Sequence, residues 1–159
     1  MFFMTAPARL WAVDLHVHTP GSEDARDEDY GTADEVVSAA LAASIDAIAI
    51  TDHNTTAWCD VMQAAAADTD LIVLPGVEIS TAEGHILGVW EEGTRSSVID
   101  DTLAVLGIRT SDRGKLDIAA SFGIADTAKY VAEAGGVAVA AHIEKPRGLL
   151  ACISVAAHQ

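Results

Sequence analysis

Two histidines stand one residue apart in "DLHVHTPGSED", residues 14–24, directly behind an apolar run. Side chains two apart in a strand point to the same face. His16 and His18 therefore offer two imidazoles side by side, the bite that a divalent metal needs. Further donors recur beside other apolar runs: His53 after "AIAIT", Glu78 in "LPGVEIS", His85 in "GHILG" and His142 after "VAVAA". A lone histidine at a strand end is ordinarily a hydrogen-bonded structural residue. His-x-His with three more such histidines and a glutamate, all in apolar frames, points instead to a metal centre. Neutral imidazoles with carboxylates suit zinc, manganese or iron, and the donor types alone do not choose among them.

Such donors need a scaffold that gathers them. "LWAVDLHVHT" reads as a short buried strand over about 11–17, followed by the polar loop "PGSEDARDEDYG". Thr32-Ala33-Asp34-Glu35 matches a capping box and opens a helix carrying Val36, Val37, Ala40, Leu41 and Ser44. A second strand is expected over 45–51, its near-continuous apolar run typical of parallel sheets. Asn54 or Thr55 is expected to cap a helix through Trp58, Val61, Met62 and Ala65. "LIVLPGVEIS" gives a third strand, ending at Glu78, and "GHILGVW" a fourth, opened by His85.

From 93 to 123 the pattern weakens, and this stretch reads as an excursion from the core fold. "IADTAKYVAEAGG" then forms a helix closed by glycine, "VAVAAH" a strand, and "LLACISVAAHQ" the start of a further helix. Alternating strands and helices predict one α/β domain over 1–159 with a mainly parallel sheet. Such sheets place their active sites at the C-terminal edge of the strands. Five of the six histidines then face one rim.

Acids outnumber bases 24 to 9, a formal net charge of −15. A surface of that sign repels nucleic acid and anionic membranes over most of its area. It still admits phosphate chemistry where bound cations reverse the sign locally. The two cysteines, Cys59 and Cys152, lie in no metal-binding spacing and read as buried thiols of a reducing compartment. No apolar run approaches the ~20 residues of a membrane span, and the start "MFFMTAPARLW" is broken too early for a secretory signal. The expected location is cytoplasmic.

"DLHVHTPGS", "AIAITDHNT", "LPGVEIS", "GHILG" and "GGVAVAAH" resemble, in order, the motifs of the PHP (polymerase and histidinol phosphatase) family of metal-dependent phosphoesterases. Amidohydrolases share the first His-x-His, but the "TDH" and "PGVE" elements look like PHP. The resemblance implies a distorted (β/α)7 barrel with two or three divalent ions at its C-terminal rim. His16 and His18 would hold one ion with Glu78, which bridges to a second ion held by His85 and His142. His53 would help to hold a third. The family's next ligand, five residues past the second histidine, falls on Glu23, with Asp24 as a rival. Asp14 and Asp52 would orient the neighbouring imidazoles.

By the same resemblance, a metal-bound hydroxide and no side-chain nucleophile would attack a phosphate ester. Lys145 and Arg147 would hold phosphate oxygens. The substrate would be a phosphorylated small molecule, a nucleotide or an oligonucleotide end. The family's late Asp-x-His is not found before Gln159, and His158 reads as an exposed terminal side chain. A full barrel takes ~250 residues, so the expectation is an incomplete barrel lacking its C-terminal strands. A missing segment or a second copy in a homo-oligomer would complete it. The alternative function is a truncated or degenerate PHP module without catalysis, acting as a binding or regulatory part of a larger protein.

Overall fold

The computed structural model describes residues 9–25 and 30–144. Five strands form one curled sheet, a half-barrel, in the order β1 (Val13–Val17), β2 (Ala47–Ile50), β3 (Ile72–Thr81), β4 (Gly84–Val89) and β5 (Val137–Ala140). Among the described residues four α-helices accompany it: α1 (Ala33–Ala42), α2 (Cys59–Ala66), α3 (Ser96–Val105) and α4 (Ile124–Glu133). The expected α/β class is observed, and the curled half-barrel agrees with the expected incomplete barrel.

The sheet is not mainly parallel. β1, β2 and β3 pair in parallel, whereas β4 runs antiparallel to both β3 and β5. The cause is the turn at Ala82 and Glu83, which is too short for the crossover that parallel neighbours require. Glu78 also lies inside β3 rather than at its end, because β3 continues into this hairpin as far as Thr81.

Alternation along the strands separates two faces. Ile48, Ile50 and Val73 pack outward against Val37 and Ala40 of α1 and Cys59 and Met62 of α2. Val77, Ile79 and Ile86 pack outward against α3, and against Val131 of α4. The inner face carries a smaller cluster of Ala49, Leu87, Val89 and Ala141, and beyond it the polar residues of the site. This arrangement leaves the concave face to chemistry while the helices stabilise the convex one.

The capping box at Thr32 forms in both directions: Glu35 N–H donates to the Thr32 hydroxyl, and Thr32 N–H donates to the Glu35 carboxylate. α4 ends as expected on glycine, with Gly135 at φ +82° and Gly136 N–H donating to Val131 O. α2 instead begins at Cys59, and neither Asn54 nor Thr55 caps it. Asn54 instead bonds Ile118 and Ser80 beside the rim, and Thr56 donates to Asp100 of α3. The 93–123 stretch adds no strand, yet Ile99, Leu103, Leu106 and Ile108 from it are almost wholly buried in the core. The expected start of a helix after 148, with Cys152 and His158, lies outside the described residues.

Candidate metal centre

β1 delivers His16 to the rim, and the chain leaves the sheet through His18. The loop then turns sharply over Asp52, whose carboxylate accepts both the backbone N–H and the hydroxyl of Thr19. A Cβ at Gly21 would stand 2.7 Å from Asp52 Oδ2, so only glycine passes there without displacement. Tyr30 donates its hydroxyl to His18 O at 2.7 Å.

The ladder between β2 and β3 continues one step past β2. Glu78 N–H donates to Asp52 O at 3.0 Å and Asn54 N–H to Glu78 O at 2.8 Å, setting His53 opposite Glu78. Asn54 holds a left-handed φ of +52°, which a short polar side chain tolerates. Its amide group donates to Ile118 O at 3.0 Å and accepts Ser80 N–H at 3.1 Å. His142, two residues beyond β5, also has a positive φ of 25°. Uncommon backbone of this kind gathers at functional sites.

The histidines meet on one buried carboxylate. Glu78 Oε2 lies 2.8 Å from Nε2 of both His16 and His18, and 3.6 Å from His53 Nε2. Its other oxygen, Oε1, lies 2.7 Å from His85 Nδ1 and 3.0 Å from His142 Nε2. Each oxygen thus serves its own pair of imidazoles. Asp24 Oδ2 stands 2.8 Å from His18 Nδ1 and 3.7 Å from His53 Nε2, so His18 faces a carboxylate with each ring nitrogen. Ser22 steadies this side, donating to Asp24 Oδ1 at 2.6 Å and accepting His53 N–H at 3.3 Å. These seven donors, His16, His18, Asp24, His53, Glu78, His85 and His142, line one cavity of about 370 Å³.

The protonation pattern follows from this packing. Burial alone would raise the Glu78 pKa, but hydrogen bonds from His16, His18 and His85 hold it far below the usual carboxylate range. Burial alone would lower His18, yet its bonds to Glu78 and Asp24 push it up to about 9. Asp24 is opposed by its own desolvation but held low by Ser22 and His18. His53 is lowered, chiefly by burial. Asp52 is pushed up to about 6 by burial, against the bonds from Thr19.

The donor set fits divalent ions. Three groups bring ligand atoms within 4.8 Å of one another: His16, His18 and Glu78; His18, Asp24 and His53; His53, Glu78 and His85. In the first, the three atoms form a triangle with edges of 2.8, 2.8 and 3.1 Å. Ligands at ~2.1 Å from a shared ion stand roughly 3.0–3.4 Å apart, close to those edges. Like-polarity imidazoles crowded on one carboxylate make sense where cations join them. His142 Nδ1 is buried with no hydrogen-bond partner among the described residues, a further polar atom that the protein leaves unsatisfied.

Several expected roles change. Glu23 turns away, accepting Leu116 N–H at 3.1 Å, and Asp24 is the carboxylate that reaches the cavity. Asp14 accepts the backbone N–H of His16 at 3.1 Å and orients no ring. Asp52 likewise serves Thr19 rather than an imidazole. In both, a nearby donor captures the carboxylate first. Lys145 and Arg147 lie outside the described residues. Ser22, Tyr30 and Asn54 support the site without having been singled out for it. Only Asn54, directly after "TDH", carried a usable signal, as a residue suited to left-handed backbone.

One solved structure among those that match shares the fold, and a second gives a weaker likeness. A sulfate-bound, metal-free amidohydrolase from Chromobacterium violaceum superposes with a TM-score of 0.61 at 19% identity, over 91% of this chain and 72% of its own. A protein from Bifidobacterium adolescentis, provisionally described as a metal-dependent phosphoesterase, gives a TM-score of 0.44 at 23% identity, over 80% of this chain and 51% of its own. The chain therefore spans about half the length of the second. No curated protein matches it by sequence. The PHP domain matches residues 14–143, from the acid beside the first histidine pair to the residue after the last histidine of the cavity, and the chain belongs to that family.

Proposed function

We propose that the chain is a metal-dependent phosphoesterase acting on a phosphorylated small molecule, a nucleotide or an oligonucleotide end. The observation that carries this reading is Glu78, with one pair of histidines on each carboxylate oxygen, in a chain of the PHP family. Two or three divalent ions of zinc, manganese or iron would supply Lewis acidity toward the phosphoryl oxygens and an activated water to attack phosphorus. His16, His18 and Glu78 form one holding group, His53, Glu78 and His85 another, and His18, Asp24 and His53 a third. Glu78 stays ionised and keeps the groups in register. Lys145 and Arg147 are assigned to the phosphate oxygens.

A second reading, a PHP module that binds without catalysing, draws on the sheet edges. Among the described residues β1 is one edge, and Val13 and Leu15 are exposed on it. Such an edge suits docking to another segment or a second copy. Elemental analysis of the purified chain, with p-nitrophenyl phosphate hydrolysis before and after chelation, separates the two. Bound divalent metal with manganese-restored turnover supports the esterase. A folded protein without metal or turnover supports the module.

No helix among the described residues is long and apolar enough to cross a membrane. A cytoplasmic site of action is proposed on the buried thiol Cys59, which suits a reducing compartment.

A further inference from the structure

A second cavity, of about 260 Å³, opens beside the metal centre, and His85 lines both. One wall is the β3–β4 hairpin, with Ser80 and Thr81. The other is the segment from Leu116 through Asp117 and Ile118. That second wall is tied to the rim along its length. Gly114 N–H donates to His53 O at 3.0 Å, and Ala120 N–H to Ser80 O at 2.7 Å. Leu116 N–H is held by Glu23 and Ile118 O by Asn54. The cleft is thus preformed by the same residues that place the metal donors.

Its chemistry is one-sided. Apart from His85, no basic side chain among the described residues lines it. The cations of the adjoining segment are engaged, Lys115 with Asp112 at 3.1 Å and Arg113 with Asp100. Asp117, an exposed carboxylate, lines it beside apolar Leu116 and Ile118. The volume falls below the roughly 300–1,000 Å³ of sites for larger ligands.

We propose that this cleft receives the alcohol part of the phosphate ester, and that Asp117 selects a compact, hydroxyl-rich alcohol of sugar size bearing no second anionic group. This rests on the phosphoesterase reading and narrows it. Hydroxyl donors of the alcohol bond the Asp117 carboxylate, while an additional phosphate is repelled by its like charge. Asp117 touches the leaving group and acts as a specificity determinant, not on the reacting phosphorus.

The test uses the metal-loaded full chain with ribose 5-phosphate, ribose 1,5-bisphosphate and p-nitrophenyl phosphate. The expected order favours ribose 5-phosphate over the bisphosphate by about 10-fold or more in kcat/KM, the scale of one charge-assisted hydrogen bond. In Asp117→Asn the ratio of ribose 5-phosphate to p-nitrophenyl phosphate falls by a similar factor, through KM, with metal content unchanged. Asp117→Lys shifts preference toward the bisphosphate. A wild-type preference for the bisphosphate, or ratios untouched by both variants, overturns the proposal. If no ester is turned over although metal is bound, the phosphoesterase reading fails, and binding decides the cleft separately. Ribose 5-phosphate titrated into zinc-loaded protein should then shift the amide resonances of Gly84 and Leu116 to Ala119, less so in Asp117→Asn. Unmoved resonances refute the cleft.

Discussion

Glu78 and His142 are 64 residues apart in sequence and 3.0 Å apart in space, Oε1 to Nε2. The contact spans the middle of the sheet: Glu78 sits on β3, His142 follows β5, and β4 with His85 lies between them. The first parallel strand and the last antiparallel one thus converge on the same carboxylate, since His16 and His18 hold its other oxygen. Replacing Glu78 removes the link between both pairs. Glu78→Gln should lower bound metal to less than half and reduce esterase turnover by roughly 100-fold or more, beyond the loss of an outer partner. Elemental analysis beside circular dichroism checks this, and undiminished metal in a folded variant contradicts it.

His18 makes metal binding release protons. Its pKa of about 9 leaves the ring protonated at pH 7.5 in metal-free protein, whereas a ligating imidazole must be neutral. Calorimetry of zinc binding in buffers of different ionisation enthalpy should show at least one proton released at pH 7.5, fading above about pH 9. The sign for metal-free stability follows from the raised value. The contribution is fully present below pH 6.5 and is lost as pH rises through about 9. Zero release at pH 7.5 counts against the assignment.

Asp24 and Glu23 are adjacent but do different work. Asp24→Ala should weaken metal binding roughly 10- to 100-fold at the group shared with His18 and His53. Glu23→Ala should instead leave occupancy intact and speed hydrogen exchange of the Leu116 amide, whose acceptor it removes. The reverse pattern would restore Glu23 as the ligand.

The 93–123 stretch is predicted to carry stability. Leu103 is fully buried against β3, α4 and its own helix. Leu103→Ala should cost about 2–5 kcal/mol in urea unfolding, the range for emptied core sites. A cost below ~1 kcal/mol would mark α3 as peripheral.

Much of this was readable before any coordinates. Histidines at the ends of apolar runs located the rim, because strand ends of an α/β sheet converge there. Thr32 and Glu35 announced α1 through local chemistry alone. Strand direction was not readable from the apolar runs, since antiparallel β4 is as hydrophobic as parallel β2. The two-residue turn at Ala82 and Glu83 was the signal that mattered. Carboxylate roles were the least legible. Glu23, Asp14 and Asp52 each went to a backbone donor whose position depends on the folded loops, not on sequence spacing. The weak pattern over 93–123 concealed core residues because α3 exposes apolar Val98 and Val105 beside buried Ile99 and Leu103, which blurs its periodicity.

The most direct measurement is anomalous diffraction from crystals of the full chain grown with manganese or zinc. Density for at least two ions is expected, each within ~2.0–2.3 Å of a Glu78 oxygen, one beside His16 and His18 and another beside His85. Crystals with those sites empty at saturating metal, and the histidine–Glu78 hydrogen bonds intact, would contradict the account.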